Sequence, residues 1–118
     1  MCGVFGIFNV EHAERHAFYG IYSLQHRGQE SVGIATSDYE RITLVKKPGL
    51  VLDAITNKDM EKLKGNIAIA HVRYSTSGDS GGLNAQPMLR ETSIGPVAIV
   101  HNGNLVNYTF LRRSLESE

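Results

Sequence analysis

Apolar and polar positions along the chain change period several times, and each change marks an element. Val4 to Phe8 is a short apolar run without helical spacing, which predicts a buried strand. From about Glu11 to His26 the spacing turns helical: Ala13, Ala17, Ile21 and Leu24 recur at steps of four, four and three, on one face. Gly28 is a suitable stop. Val32–Thr36 and Arg41–Lys46 read as strands joined by the polar turn Ser37-Asp38-Tyr39-Glu40, and Pro48-Gly49 breaks the pattern after them. Thr56 with Asp59 three residues later has the form of a capping box, opening a short helix that Gly65 closes. Ile67–Arg73 is a further strand, and Ser75–Asn84, rich in Ser, Thr and Gly, is a loop. Val97–His101 is another strand. A last helix is expected from about Asn107, with Phe110, Leu111 and Leu115 on its inner side. Strand, helix, hairpin, helix, strand, strand and helix in this order predict one mixed domain of the α+β or α/β type.

Bulk properties narrow the partners. In 118 residues, Lys plus Arg and Asp plus Glu both number 12, so no basic excess is available to neutralise phosphates. This argues against a nucleic-acid binder. A 42% apolar, 20% charged composition fits an ordinary globular domain. No apolar run approaches the ~18 residues a membrane span needs. No Lys or Arg precedes the apolar start, as a signal peptide would require, and position 2 is Cys where myristoylation needs Gly. With a single cysteine no internal disulfide is possible, which fits a reducing compartment. The expected location is the cytoplasm.

Some apparent motifs carry no chemistry. Gly78-Asp79-Ser80-Gly81-Gly82 spells the nucleophile loop of chymotrypsin-like proteases, but the chain is too short for two barrels and lacks the upstream triad context. It is a glycine-rich loop. His12 and His16 share a helix face, but Ala13 stands where a zincin has glutamate, so they read as solvated helix residues. Neither a P-loop nor a Gly-x-Gly-x-x-Gly turn occurs.

Cys2 is different. If Met1 is removed, one residue carries a thiol and a free α-amine, a nucleophile and a base of pKa ~8. A lone cysteine is ordinarily packing, so the case rests on other segments. Leu24-Gln25-His26-Arg27-Gly28-Gln29-Glu30-Ser31 gathers polar residues at a helix exit. Arg73-Tyr74-Ser75-Thr76-Ser77-Gly78 places a guanidinium and hydroxyls at a strand end, and His101-Asn102-Gly103-Asn104 places an amide and a glycine N–H at another. Each alone could be turn chemistry. Strand ends in a layered protein commonly face one cleft, which makes them a set.

These segments, taken as Leu24–Ser31, His71–Gly78 and Val100–Asn107, with Cys2-Gly3 and Asn84-Ala85-Gln86-Pro87, resemble the glutaminase domain of the amidophosphoribosyltransferase family of class-II, N-terminal-nucleophile amidotransferases. The resemblance runs from Met1 to about Leu111. It implies a four-layer αββα sandwich, incomplete in this chain, and glutamine as substrate. Ammonia released from glutamine would pass to phosphoribosyl pyrophosphate, giving phosphoribosylamine in the first step of purine synthesis. It implies Cys2 as nucleophile and, through its own amine, as base. Asn102 and Gly103 would form the oxyanion hole. Arg73 would bind the glutamine carboxylate with help from Thr76, and Gly28 would leave room beside Cys2. His26, Arg27, His71 and His101 would have supporting roles. No cofactor is implied within residues 1–118, which form the N-terminal portion of the domain. Mg²⁺ with phosphoribosyl pyrophosphate belongs to a C-terminal phosphoribosyltransferase domain or subunit, and the complete protein would be a homo-oligomer. The family's aspartate for the glutamine amine falls beyond Glu118, so little glutaminase activity is expected of residues 1–118 alone. Robust turnover by them would refute that. Another class-II amidotransferase, or a non-catalytic chain that binds a partner, are the alternatives. A downstream sequence with that aspartate and a diphosphate-binding domain would decide between them.

Overall fold

A computed structural model describes residues 1–74 and 84–118. Its centre is a four-stranded antiparallel sheet in the order β1-β4-β2-β3, formed by β1 (Gly3–Phe8), β2 (Ser31–Ser37), β3 (Ile42–Pro48) and β4 (Ile67–Arg73). Helix α1 (Ala13–Ser23) lies on one face, against β1, β4 and β2. Alternation along the strands decides which residues it covers. Val32 and Ile34 of β2 and Ala68, Ala70 and Val72 of β4 point to α1 and bury with Ala13, Ala17 and Ile21. The helix sits close because Gly20 meets the Phe5 ring, and a Cβ there would overlap it. The apolar steps read from the sequence are therefore the core face of α1, though the helix is shorter than Glu11–His26. It ends at Ser23, and Gln25–Arg27 tightens into a 3-10 turn before Gly28.

The opposite face receives a second, two-stranded sheet, β5 (Met88–Thr92) and β6 (Gly95–Ile99). Ala98 of β6 shares a small cavity with Ala35, Ile67 and Ile69 of the first sheet. Covered from both sides, β2 is buried from Ser31 to Thr36, which explains its near-continuous apolar sequence. Helix, sheet and sheet make three layers, an α+β architecture as expected.

Between β3 and β4 run α2 (Val51–Ala54) and α3 (Asn57–Lys62). The capping box of α3 forms as read: Thr56 Oγ1 accepts from the Asp59 N–H, and the Asp59 carboxylate accepts from the Thr56 N–H at 2.9 Å. The same carboxylate pairs with Lys47. The Lys47 hydrogen bond, helped by the Thr56 N–H, lowers the Asp59 pKa from 3.8 to about 2. Because the folded value is the lower one, the stabilisation is complete above the unfolded value and is lost as pH falls through 2. Unfolding free energies from urea titrations of the native chain and Asp59→Asn should thus differ at pH 6, by a cap-sized ~0.5–2 kcal/mol, and converge as the pH falls through 2. A gap as large at pH 2 as at pH 6 would refute this assignment.

Three elements depart from the sequence expectation. Strand β5 and helix α2 have no counterpart in it. Helix α4 (Tyr108–Glu116) forms near Asn107 as expected, but Phe110 and Leu115 are more than 70% exposed, so the expected inner side faces no core among the described residues. Residues 75–83, which hold Thr76, the expected loop and the Gly78–Gly82 motif, lie outside the described residues. No described helix is long and apolar enough to cross a membrane.

Candidate active site

Strand register assembles the site. Gly3 of β1 pairs with Val72 of β4 as the last pair of that ladder, so Cys2, the residue before it, lies at the end of β4 that carries Arg73. On the other side of β4, Arg73 pairs with Ser31 of β2. Arg73 and Ser31 therefore form one rung on the face away from α1, because side chains alternate and Val72 belongs to the α1 face, and Cys2 adjoins that end of the sheet. Half-buried Cys2 brings its Sγ to 3.9 Å from the Tyr74 carbonyl.

The 3-10 turn closes over this rung. Arg27 Nε donates to the Cys2 carbonyl at 3.0 Å and so fixes the backbone carrying the thiol. Gly28 lies against β4 so tightly that a Cβ would come within 2.5 Å of the Arg73 carbonyl carbon. Any side chain there would have to displace the backbone beneath Arg73. The turn is held by Gln25, whose Nε2 donates to the Gly28 carbonyl at 2.6 Å while its Oε1 accepts from the Val51 N–H at 2.7 Å. One amide thus positions Gly28 and caps α2.

Arg73 is largely buried, with Nη1 3.9 Å from Glu30 Oε1, and its carbonyl accepts from the Glu30 N–H at 3.1 Å. Glu30 Oε2 and Ser31 Oγ are buried and have no hydrogen-bond partner among the described residues. The sequence assigns neither residue a role; the available signal is their place in the Leu24–Ser31 segment.

His101 reaches the same face by another route. His71, fully buried, lies two residues before Arg73 on β4 and directs Nε2 to the His101 carbonyl at 3.1 Å. A carbonyl only accepts, so Nε2 carries the proton. Burial lowers the His71 pKa and outweighs the carbonyl contact, keeping the ring neutral. The His101 N–H donates to Gln86 Oε1 at 2.6 Å. Asn102 and Gly103 come next in the chain and are exposed. Of the expected site residues, Cys2, Gly28 and Arg73 are thus brought together directly, and Asn102 and Gly103 are tied to the same strand through His71.

The family model for class-II glutamine amidotransferases matches residues 1–116. The chain belongs to that family. Among individual proteins it is similar to the amidophosphoribosyltransferases of Bacillus subtilis, 48% identical over 99% of this chain, and Methanocaldococcus jannaschii, 49% identical over 98%. It superposes on the solved allosteric regulatory enzyme of purine biosynthesis with a TM-score of 0.91 at 46% identity, covering 99% of this chain and 25% of the other. For the glutamine phosphoribosylpyrophosphate amidotransferase from B. subtilis complexed with ADP and GMP, the TM-score is 0.87 at the same identity and coverage. The chain spans about a quarter of the length of these relatives.

Proposed function

We propose that the chain supplies the glutamine-hydrolysing site of an amidophosphoribosyltransferase. The observation that carries this reading is the pairing of β1 with β4, which brings Cys2 to the strand end of Arg73 and Tyr74, with Gly28 packed against the same strand end. Once Met1 is removed, the Cys2 α-amine takes the thiol proton and the sulfur attacks the side-chain amide carbon of glutamine. The carbonyl oxygen becomes an oxyanion, received by the Asn102 amide and the Gly103 N–H. The amine returns the proton to the departing nitrogen, the C–N bond breaks, and ammonia leaves a γ-glutamyl thioester. Water, deprotonated by the same amine, then cleaves the thioester to glutamate and restores the thiol.

Arg73 is suited to the glutamine α-carboxylate, because a guanidinium binds a carboxylate through two parallel N–H donors. At 3.9 Å the pairing with Glu30 is longer than a charge-assisted hydrogen bond, leaving donors for the substrate. Thr76 is assigned to assist Arg73, and Gly28 to keep the approach to Cys2 clear. Transfer of the ammonia to phosphoribosyl pyrophosphate, with its Mg²⁺, is assigned to the rest of a longer protein, which would work in the cytoplasm as a homo-oligomer.

The test is a split of kinetic parameters in the complete protein. Arg73→Met is expected to raise KM for glutamine by ~10–100-fold, the loss of a charge-assisted contact of ~1.5–3 kcal/mol, and to leave use of free ammonia unchanged. An unaltered KM would remove Arg73 from the substrate site.

A further inference from the structure

Two residues outside the reacting groups grip the backbone on either side of one residue. The His101 N–H donates to Gln86 Oε1 at 2.6 Å, and the His101 carbonyl accepts from His71 Nε2 at 3.1 Å. We infer that Gln86 and His71 are positioning residues for the glutamine site: by clamping His101 at both of its backbone polar groups, they aim the Asn102–Gly103 turn at the amide carbonyl. This inference rests on the proposed glutaminase function.

The sheet is built to hold such a clamp. Val4, His71, Gly33 and Lys46 form a single rung across all four strands, two residues from the Arg73–Ser31 pair and on the same face. Its β4, β2 and β3 positions all bear on residues 85–87 or on His101. At Gly33 the Gln86 backbone lies directly on β2, and a Cβ there would overlap the Gln86 carbonyl oxygen. Lys46 Nζ reaches up from β3 to the Ala85 carbonyl at 2.9 Å and the Pro87 carbonyl at 3.3 Å. Ala85 and Pro87 are buried. The backbone that carries Gln86 is therefore seated on β2 and tied from β3, so its amide starts from a fixed base. His71 rises from the neighbouring strand with no exposed surface. Its buried Nδ1 has no partner among the described residues, so its one described side-chain hydrogen bond is the one to His101.

The clamp has a consequence for the reaction. Asn102 and Gly103 are exposed, and neither belongs to the buried core. Their orientation is set through the residue that precedes them. Oxyanion donors act by being in place before charge develops, and a displacement of about 1 Å can cost ~10²-fold in rate. Releasing either grip should lower turnover more than substrate affinity, because the glutamine carboxylate is held elsewhere, by Arg73.

The experiment compares Gln86→Met, which keeps the length and removes the acceptor, with Gln86→Glu, which keeps an acceptor. The same contrast is made with His71→Met and His71→Gln, the latter retaining an N–H donor. All are made in the complete protein, with kcat and KM for glutamine hydrolysis measured alongside the rate at which iodoacetamide alkylates Cys2. Both Met variants should lose ~10²-fold in kcat with KM nearly unchanged, while Gln86→Glu and His71→Gln recover most of the loss. Alkylation should proceed at the native rate, since the nucleophile itself is not disturbed. In an Asn102→Ala background Gln86→Met should cost little more, because both act on one oxyanion. Native kcat in Gln86→Met, or a loss that multiplies in full with that of Asn102→Ala, would overturn the clamp. Should His71→Met fail to fold, Gln86→Met at its half-buried position decides the matter alone. A Cys2→Ala control separates the two claims. If it keeps glutaminase activity, the functional reading fails; if it is inactive while Gln86→Met is fully active, only the clamp fails.

Discussion

Cys2→Ala is expected to abolish glutamine hydrolysis in the complete protein while synthesis from free ammonia continues. The residual rate should fall to the level left by binding and oxyanion stabilisation alone, a loss of at least ~10⁴-fold. Alanine removes only the sulfur. Arg27 binds the carbonyl of residue 2, not its side chain, so the backbone grip persists in the variant. Gly3, whose absent Cβ leaves room for Leu24 and Val72, also remains seated. A loss of activity would therefore report chemistry and not unfolding, and an unchanged thermal midpoint would show this directly. If Cys2→Ala also lost ammonia-dependent synthesis, the thiol would have a structural or coupling role instead. Measuring both nitrogen sources on one preparation makes the distinction.

The second large effect separates the sulfur from the nitrogen. Inserting one residue that blocks removal of the preceding sequence leaves the thiol in place but turns the Cys2 amine into an amide, which cannot take a proton near neutral pH. General acid–base catalysis contributes about 10²–10⁴-fold, so glutamine turnover should drop by that order even though iodoacetamide still reaches the sulfur. Intact mass must accompany the assay, because any processed fraction would restore activity in proportion. Full turnover by a chain whose mass retains the added residue would show that the base is another group. His71 would be a poor substitute: it is fully buried, its Nε2–H faces the His101 carbonyl, and burial holds it neutral.

Much of this architecture is legible in the sequence because its causes are local. The Thr56–Asp59 capping box needs two side chains three residues apart, and it forms as read. The Ala13–Ala17–Ile21 stripe is one face of one helix, and it packs as read. Features with distant causes are not legible. Helix α2 starts at Val51, whose N–H is capped by the amide of Gln25 rather than by any neighbour in sequence. Strand β5, Met88-Leu89-Arg90-Glu91-Thr92, shows no alternation because its outer half is exposed on both faces. Its turn uses Ser93-Ile94, not the Asn-Gly pair that marks a tight hairpin, and is closed by Thr92 Oγ1 donating to the Gly95 carbonyl. Helix α4 shows why periodicity is half an argument. Phe110, Leu111 and Leu115 define an apolar face, but spacing says nothing of what covers it. For the site, motifs supply the candidate residues and strand register supplies their arrangement. Nothing in the spacing of Cys2 and Arg73 along the chain reveals that they share one end of the sheet; the pairing of β1 with β4 does. Gln86 sits in the Asn84–Pro87 motif without a visible role, because its partner is a backbone N–H fifteen residues away.

Labelling tests the central claim most directly. The complete protein is treated with an electrophilic glutamine analogue, with and without excess glutamine, and the modified peptide is mapped by mass spectrometry. One label per chain is predicted, on the sulfur of a Cys2 that carries a free N-terminus, with glutamine protecting in proportion to its occupancy. Labelling at another residue, or of Cys2 without protection by glutamine, would contradict the assignment of Cys2 as the glutaminase nucleophile.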